Sequence, residues 1–540
     1  MSEKAVVGTD VAAALPGFGP VAPLERIATL DILRGVALSA ILVVNWTVNA
    51  HFENDKWEGF SGTADQIAWW TFHIFLDEKA RPMFTFMFGL GFAIQMMRAE
   101  DRGVPFVATY ARRLAVLFVI GVAHDILTER DILWGYAIFG FLLLPLRKLH
   151  PKLLVALALL LLLVPFTINA VLGRSYIEGR AKFTAANNAR TVVTLEPAAL
   201  ESYVGEYGFE SVPYGAFVTR DGDALLIQSP GFPGFDDVPI RLFAESETEF
   251  FSRSIDAAKV SFVRDSTGTV TGLVWHWGRQ DLPGRIVQRG SQGIDDVARR
   301  RVAGKDPERR LYATGSFVEI VSYRARQVWQ DITQRFSGFA TNYRAWLNPE
   351  FSIFLLGLYA GRRRIFHDIP ARLPFIRKVM WCGLALGLAG VAFAVLTRDA
   401  LPGAAFRGEP VSYLTRLLAG LGNVLGAPAL GIAYVAALTI LLQRNGWTSR
   451  LGPFGAVGRM ALTNYLMQSV AFVLLFFGYG LGWFGQTGAF YGLLLASALF
   501  GLQIVASQWW LRRFRFGPAE WLWRSLTYGK LQPMKIKGLR

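Results

Sequence analysis

The stretch that decides the fold is Ile27–Asn49, which reads IATLDILRGVALSAILVVNWTVN. It is long enough to cross a bilayer as a helix, because about 20 residues rising ~1.5 Å each cover the hydrocarbon core. Asp31 and Arg34 share one helical face and can pair, and Asn45 lies further in. Charges within a span are costly and rarely face lipid. The pair therefore either marks an arginine that reaches the cytoplasmic edge with its counter-ion, or faces a polar interior where a ligand is handled.

The composition of the whole chain is that of a membrane protein. Of its 540 residues, 52% are hydrophobic and only 18% are charged, and the mean hydropathy is +0.32. The net charge of +15 comes from short basic clusters beside apolar runs. This is the positive-inside pattern, and it argues against a nucleic-acid partner. The single cysteine, Cys382, allows no internal disulfide and no cysteine metal site, and no metal is predicted.

About ten apolar stretches are predicted to span the membrane. Their approximate positions are 28–50, 81–98, 107–127, 130–147, 152–173, 350–365, 376–396, 418–443, 460–482 and 487–511. With ten spans, the basic clusters around Arg112, Arg147, Arg363 and Arg513 all fall on the side of the two termini. Both termini are therefore predicted to be cytoplasmic.

A polar insert separates two groups of spans. From Tyr203 to Val287, short alternating runs are divided by turn pairs such as Asp221-Gly222 and Thr267-Gly268, a pattern typical of short antiparallel strands. The fold class is thus an all-α polytopic membrane protein with a small extracytoplasmic antiparallel β domain inserted. The predicted parts are a cytoplasmic arm (1–25), an N-terminal bundle of about five spans (26–173), the insert (174–290), an amphipathic connector (291–349), a C-terminal bundle of about five spans (350–515) and a basic cytoplasmic tail (516–540).

Two further segments are predicted to lie along or partly within the membrane. The connector stretch VSYRARQVWQDITQRF is expected to form an amphipathic helix on the outer membrane surface, with Val321, Val328, Trp329 and Ile332 on one face and Arg324 elsewhere. The apolar segment Phe60–Pro82, which carries embedded charges, is expected to be a re-entrant or interfacial helix. Gly89 and Gly91, which follow it, permit close helix packing.

The candidate catalytic residues are histidines at the predicted outer ends of the first spans. His124 precedes a short connection and Asp131 opens the next helix, so an imidazole and a carboxylate lie at one membrane depth. This is the basic unit of general-base catalysis, because the carboxylate orients the imidazole and favours its protonated form. His51 and His73 are further candidates. For each histidine alone, a hydrogen-bonded structural role remains an open alternative.

The candidate substrate-binding residues lie in two spans. Asp31, Arg34 and Asn45 are in the first, and Arg459, Asn464 and Gln468 form a polar stripe in a later one. Such polar side chains either bridge helices or line a cavity. The chain contains no P-loop, no GxSxG, no HExxH and no GxGxxG motif in a strand–helix setting.

Several stretches resemble the YeiB-like family of bacterial inner-membrane proteins, whose C-terminal half is a domain of unknown function (number 418). They are RIATLDILRGVALSAILVVN, FTFMFGLGFAIQ, RRLAVLFVIGVAHDIL, DILWGYAIFGFLLLPLR, YATGSFVEI, FLLGLYAGRRRIF, VGRMALTNYLMQS and GPAEWLWRSLTYGKLQPM. The insert resembles a small lipocalin-like barrel that accompanies some serine-hydrolase-type enzymes. Such a barrel either binds an apolar or glycan ligand or is a structural appendage.

The opening Asp31, Arg34, Gly35 and Asn45 is remotely similar to membrane acyltransferases of the heparan glucosaminide acetyltransferase type. The resemblance implies transfer of an acyl group from cytoplasmic acyl-CoA, the only donor or cofactor-like molecule suggested, to an envelope glycan or lipid acceptor. A histidine shortly after the first helix acts in those enzymes, and His51 is nearest, at a different spacing. Proton-coupled transport of a small solute, with Asp131 and His124 as a relay, and a non-catalytic scaffold or sensor remain alternatives. The partner surface is the bilayer, and no oligomeric state is predicted.

Overall fold

The computed structural model describes residues 27–50, 62–76, 78–128, 131–164, 166–167, 189–209, 215–229, 240–253, 259–277, 280–290, 307–341, 349–397 and 413–536. The chain divides into two compact units. The first, here called the helical unit, comprises Met1–Leu162, Thr314–Ala385 and Ala427–Arg540. The second comprises Leu163–Ala313 and Leu386–Gly426 and contains the β domain.

The helices coincide with the apolar stretches of the sequence. Their bounds are α1 (Ala28–Ala50), α2 (Thr63–Phe75), α3 (Ala80–Asp101), α4 (Phe106–Thr128), α5 (Leu133–Leu146), α6 (Pro151–Val164), α7 (Pro197–Glu201), α8 (Pro307–Thr314), α9 (Phe317–Thr341), α10 (Pro349–Arg362), α11 (Ile369–Thr397), α12 (Tyr413–Leu441), α13 (Trp447–Arg459), α14 (Ala461–Phe476), α15 (Ala489–Leu511) and α16 (Pro518–Tyr528). Helices α2, α7, α8, α9, α13 and α16 were not among the predicted spans, although α2 falls in the segment expected to be re-entrant or interfacial and α9 in the one expected to be amphipathic.

The chain is a multi-pass helical membrane protein. Within the described residues, five helices are long and apolar enough to cross a membrane: α1, α4, α11, α12 and α15. The count becomes six when the bent pair α13 and α14, whose axes differ by 77°, is taken as one broken span. Helices α5 and α6 are apolar but shorter. The count of ten spans stays a prediction.

Close helix contacts in the helical unit depend on glycine. A Cβ added to Gly357 of α10 would lie 2.1 Å from the backbone oxygen of Phe86 in α3, and one added to Gly89 of α3 would lie 2.1 Å from that of Phe354. Helices α1 and α13 are in equally close contact, because a Cβ on Gly458 of α13 would lie 1.9 Å from the backbone oxygen of Asp31 in α1. Without a hydrophobic driving force between helices in lipid, such backbone contact is what holds spans together. The packing role predicted for Gly89 agrees with this geometry.

Replacing Gly357 with alanine is therefore expected to force α3 and α10 apart. Overpacking of this kind costs about 1–3 kcal/mol, which thermal unfolding of the purified protein in detergent would show as a lower midpoint. Gly501 in α15 is the matched control, since a Cβ there meets nothing within 4 Å. Equal unfolding temperatures for the Gly357→Ala and Gly501→Ala proteins would contradict the packing account.

The predicted antiparallel β domain is confirmed as a closed eight-stranded barrel. Its strands are β1 (Gly205–Phe209), β2 (Gly215–Asp221), β3 (Ala224–Gln228), β4 (Ile240–Ala244), β5 (Glu249–Ser252), β6 (Lys259–Arg264), β7 (Val270–Trp277) and β8 (Gln280–Arg289). Each strand pairs with the next, and β8 returns to pair with β1. The tight turn between β2 and β3 places Asp221 opposite Ala224, and Gly222 supplies the positive φ of 62° that it requires.

The interior of the barrel is filled by its own aromatic side chains. Tyr203, Tyr207, Phe250, Phe262 and Trp275 are all buried in one core. The rings of Tyr203 and Phe262 have centroids 4.4 Å apart, and those of Phe250 and Phe262 are 5.3 Å apart. Small barrels whose inward side chains meet in this way are packed cores rather than ligand chambers. The geometry favours the structural-appendage alternative over an interior ligand.

Helix α9 begins with a capping box, in which Ser316 and Glu319 bind each other's backbone and side-chain groups. The backbone N–H of Ser316 donates to Glu319 Oε2 at 2.8 Å, and its hydroxyl donates to the same oxygen at 2.7 Å. These hydrogen bonds lower the pKa of Glu319. Ile320, Arg324 and Val328 are buried, whereas Trp329 is exposed, and the position of this helix on the membrane surface stays a prediction. Arg324 turns inward because a buried carboxylate faces it.

Candidate functional site

The centre of the helical unit holds the predicted pair of His124 and Asp131. His124 Nδ1 lies 2.7 Å from Asp131 Oδ1, and both side chains are almost fully buried. Asp131 stands just before α5, and its other oxygen accepts the backbone N–H groups of Leu133 at 2.6 Å and Trp134 at 3.0 Å. One carboxylate therefore caps the start of α5 and fixes the imidazole of α4. Sequence spacing predicted this contact, and the helix cap explains why the carboxylate is held in place.

Two further hydroxyl groups contact the pair. The hydroxyl of Tyr465, from α14, donates to Asp131 Oδ1 at 3.3 Å. Thr128, one turn after His124, donates its own proton to the backbone oxygen of His124 at 2.8 Å, and its Oγ1 lies 3.3 Å from His124 Nε2. Tyr465, Asp131, His124 and Thr128 thus form a continuous line of proton-carrying groups. We call these four residues the relay.

A buried ion pair borders the relay. Arg324 Nη2 donates to Asp125 Oδ1 at 2.8 Å, and both side chains are at least nine-tenths buried. The other oxygen of Asp125 accepts the indole N–H of Trp134 at 2.9 Å. The guanidinium of Arg335 lies 4.8 Å over the Trp134 ring. Helix α9 is thereby fastened to the ends of α4 and α5 beside the relay.

The helical unit contains a cavity of about 270 Å³. Six arginines and two carboxylates of its lining are together called the arginine end: Arg34, Arg98, Arg102, Arg113, Arg459, Arg524, Asp31 and Glu520. The apolar and aromatic side chains of its lining are called the apolar chamber, and they include Phe84, Met87, Phe88, Leu114, Leu117, Ile132, Leu133, Tyr136 and Tyr465. The relay reaches this cavity through Tyr465. We refer to it as the main cavity.

The arginine end of the main cavity is held in place by specific contacts. Arg34 Nη1 lies 3.2 Å from Asp31 Oδ1, as the spacing in α1 predicted. Gly91 of α3 faces this arginine, since a Cβ there would lie 3.5 Å from Arg34 Nη2. Arg113 stacks on Trp523 of α16, with its guanidinium carbon 3.7 Å from the ring centroid. This end therefore presents fixed positive charge to an anion.

Glu520 of α16 caps the broken span formed by α13 and α14. Its Oε1 accepts the backbone N–H groups of Leu462 at 2.6 Å and Thr463 at 3.1 Å, and its Oε2 accepts the Thr463 hydroxyl at 2.5 Å. Burial raises the pKa of Glu520, while these hydrogen bonds act in the opposite direction. The carboxylate thus stabilises the free N-terminus of α14, which leads to Tyr465.

The remaining predicted site residues are divided between several places. Arg459 lines the main cavity, whereas Asn45 lines a small cavity with Thr128. Asn464 and Gln468 bridge α14 to α15: Asn464 Nδ2 donates to Ser507 Oγ at 3.0 Å and Gln468 Nε2 to Gln503 Oε1 at 2.8 Å. His51 lies outside the described residues, and so does the side chain of His73.

Sequence reasoning missed several residues of this site. Arg113 was predicted only as part of a flanking basic cluster, and Arg98 and Arg102 were not considered. Positive-inside clusters and ligand-binding arginines look alike in sequence. Tyr465 was hidden inside an apolar run. The pairing of Asp125 with Arg324 joins positions far apart in the chain, so that no spacing rule could find it.

A second histidine contact network lies on the outside of the barrel. His276 Nδ1 lies 2.7 Å from Asp281 Oδ1, and His276 Nε2 lies 2.7 Å from Ser261 Oγ. These are the distances of a Ser–His–Asp triad. However, Ser261 is paired within the sheet, and Glu249 sits directly opposite it on the same face. A carboxylate there repels a developing oxyanion, and so the network is better described as a polar ladder across the strands.

The fold and site define a multi-pass helical membrane protein with a buried relay and an arginine-lined cavity. Residues 360–530 match the family described as Protein of unknown function (DUF418), and residues 189–285 match the Domain of unknown function (DUF3471). The chain is 28% identical to the uncharacterized protein YxaH of Bacillus subtilis (strain 168), over 95% of this chain and 97% of that protein. It is 23% identical to the uncharacterized protein YeiB of Escherichia coli (strain K12), over 96% and 100%.

The chain is therefore similar over nearly its whole length to YxaH and YeiB, and its residues 360–530 match the DUF418 family. This is the family that its motifs had indicated, and the barrel insert corresponds to the DUF3471 match. No solved structure matches the chain.

Proposed function

We propose that the helical unit transfers an acyl group from an acyl-CoA-type donor, bound in the main cavity, to an acceptor of the cell envelope. One observation carries the proposal. The main cavity is lined both by six arginines and by an apolar chamber that includes Tyr465, the cavity-facing member of a buried relay with Asp131 and His124. A cationic site for the phosphates, an apolar space for the acyl chain and a nearby proton acceptor are the features that a site for an acyl-CoA donor needs.

The arginine end suits the phosphate groups of a coenzyme A donor. Arginine binds phosphate through paired N–H groups in a fixed fork, and Arg34 and Arg113 are already oriented by Asp31 and Trp523. The partly exposed Arg34 and the exposed Arg102 and Arg459 place this end within reach of a water-borne ligand. The thioester and acyl chain would then occupy the apolar chamber.

The relay supplies the proton chemistry of acyl transfer. The acceptor hydroxyl or amine attacks the thioester carbonyl carbon, so that a C–O or C–N bond forms as the C–S bond breaks. The proton of the acceptor passes to the Tyr465 oxygen while the Tyr465 proton moves to Asp131, and Asp131 and His124 share it. The leaving thiolate takes up a proton from water at the exposed arginine end, and the relay is restored when its extra proton leaves.

Proton-coupled transport remains the second candidate function, because one observation favours it. The relay lies between the main cavity and the small cavity at Asn45 and Thr128, as a proton path through a transporter would. Acyl transfer accounts better for the arginine cluster, which a proton path does not need.

The donor site is tested by measuring the binding of acetyl-CoA and palmitoyl-CoA to the purified protein in detergent. Replacing Arg34 or Arg113 with alanine is expected to weaken binding about 10- to 100-fold, since a charge-assisted hydrogen bond contributes about 1.5–3 kcal/mol. Arg444→Ala is the matched control, because Arg444 is exposed and does not line the main cavity. Unchanged affinity in both cavity variants would contradict the proposed donor site.

A further inference from the structure

The small cavity beside the relay is lined in part by polar side chains. It has a volume of about 10 Å³ and is lined by Leu42, Asn45, Trp46, Thr128, Gln468, Ser469 and Phe472. Trp46 is 2% exposed and Gln468 is 3% exposed. A space of this size suits one water molecule, provided that it offers the water two or more polar partners.

Two buried polar atoms at this cavity lack a hydrogen-bond partner among the described residues: Trp46 Nε1 and Gln468 Oε1. Leaving such a group unsatisfied is costly, because it loses its hydrogen bond to bulk water and gains none in the folded protein. One is a donor and the other an acceptor, so a single water oxygen between them can satisfy both. It would accept from the indole N–H and donate to the amide oxygen.

The orientation of the Gln468 amide is fixed by its neighbours and does not depend on an arbitrary choice of nitrogen and oxygen. Gln468 Nε2 donates to Gln503 Oε1 at 2.8 Å, and Gln503 Nε2 donates to the backbone oxygen of Asn464 at 2.9 Å. That backbone oxygen can only accept, so Gln503 must present its nitrogen there and its oxygen to Gln468. The oxygen of Gln468 therefore faces away from Gln503 and remains the unsatisfied atom.

The small cavity also contacts the end of the relay. Thr128 lines it, and Thr128 Oγ1 lies 3.3 Å from His124 Nε2. We propose that the small cavity binds one water molecule, which hydrogen-bonds Trp46, Gln468 and Thr128 and serves as the proton outlet of His124. The water site stands on its own, while the outlet role rests on the proposed function. A proton taken up at Tyr465 can then leave on the side away from the arginine cluster.

The water site is tested by hydroxyl-radical labelling of the full-length protein in detergent, with mass spectrometry of each tryptophan. Radiolysis of a bound water generates a radical beside it, so Trp46 is expected to be oxidised despite its burial. Trp275, fully buried in the barrel core, is the control and is expected to stay unmodified. Filling the cavity with Asn45→Leu or, from the other side, Ser469→Val should abolish the Trp46 label. If Trp46 is oxidised no more than Trp275 in the wild-type protein, the proposal is overturned.

The outlet role is tested separately with Thr128→Val, which removes the hydroxyl at nearly constant volume. The Trp46 label should persist, acyl-CoA affinity should stay unchanged, and thioester turnover should fall, with a changed pH profile. Unchanged turnover and pH profile would overturn the outlet role. Absence of turnover in the wild-type protein would refute both the proposed function and the outlet role. The water site would then be decided by the oxidation of Trp46 alone.

Discussion

Replacing His124 with alanine is expected to lower thioester turnover about 100- to 10,000-fold, the range measured when a positioned general acid or base is removed. The physical reason is that Asp131 alone cannot share the proton delivered through Tyr465, because its second oxygen is committed to the start of α5. Donor affinity should change little, since His124 does not line the main cavity. Acyl-CoA binding and free-thiol release by the same preparation measure both quantities.

His150→Ala is the matched control, because His150 is exposed and follows α5 on the surface. Equal turnover in the wild-type, His124→Ala and His150→Ala proteins would show that the relay takes no part in the reaction.

Liposomes with an internal pH-sensitive dye distinguish proton-coupled transport from acyl transfer. Proton flux that depends on a solute and disappears in Asp131→Asn, without any thioester turnover, would favour transport over acyl transfer.

Replacing Arg324 with alanine is expected to destabilise the helical unit by about 3–5 kcal/mol, the usual effect of removing one partner of a buried ion pair. The loss is large because Asp125 would lose its ion-pair partner in a buried site where, among the described residues, only Trp134 and the Asp131 backbone would still donate to its carboxylate. Helix α9 would also lose its attachment to α4. Thermal and denaturant unfolding in detergent measure the change.

Arg326 provides the matched control, since it lies in the same helix and is exposed. Arg326→Ala should leave the midpoint within the error of the measurement. Combining Arg324→Ala with Asp125→Asn should restore part of the stability, because the uncompensated charge is then removed. Equal midpoints for Arg324→Ala and Arg326→Ala would show that the pair contributes nothing to stability.

The elements of the fold were largely predictable because the signals are local. The apolar length of α1 and the three-residue spacing of Asp31 and Arg34 define both a span and a pair. His124 and Asp131 are seven residues apart across one turn between helices, so that topology alone brings them together. Turn pairs such as Asp221-Gly222 predicted the hairpins of the barrel for the same reason.

What could not be predicted depends on contacts between distant parts of the chain. The six arginines of the main cavity come from α1, α3, α4, α13, α16 and the end of α3, and nothing in sequence indicates that they converge. The polar stripe of Arg459, Asn464 and Gln468 was predictable, but its division between the main cavity at Arg459 and the α15 interface at Gln468 was not. That division depends on the 77° bend between α13 and α14.

The filled barrel restricts where any molecule recognised by this module can sit. Because Tyr203, Phe250 and Trp275 are buried together in its core, the described part of the barrel has a filled interior, and a glycan or lipid headgroup could meet only its outer wall or its rims. The wall carries the exposed carboxylate of Asp281 and the imidazole of His276, side by side on neighbouring strands. Capture of an envelope molecule by this module would thus be a matter of surface chemistry, open to mutation without disturbing the core.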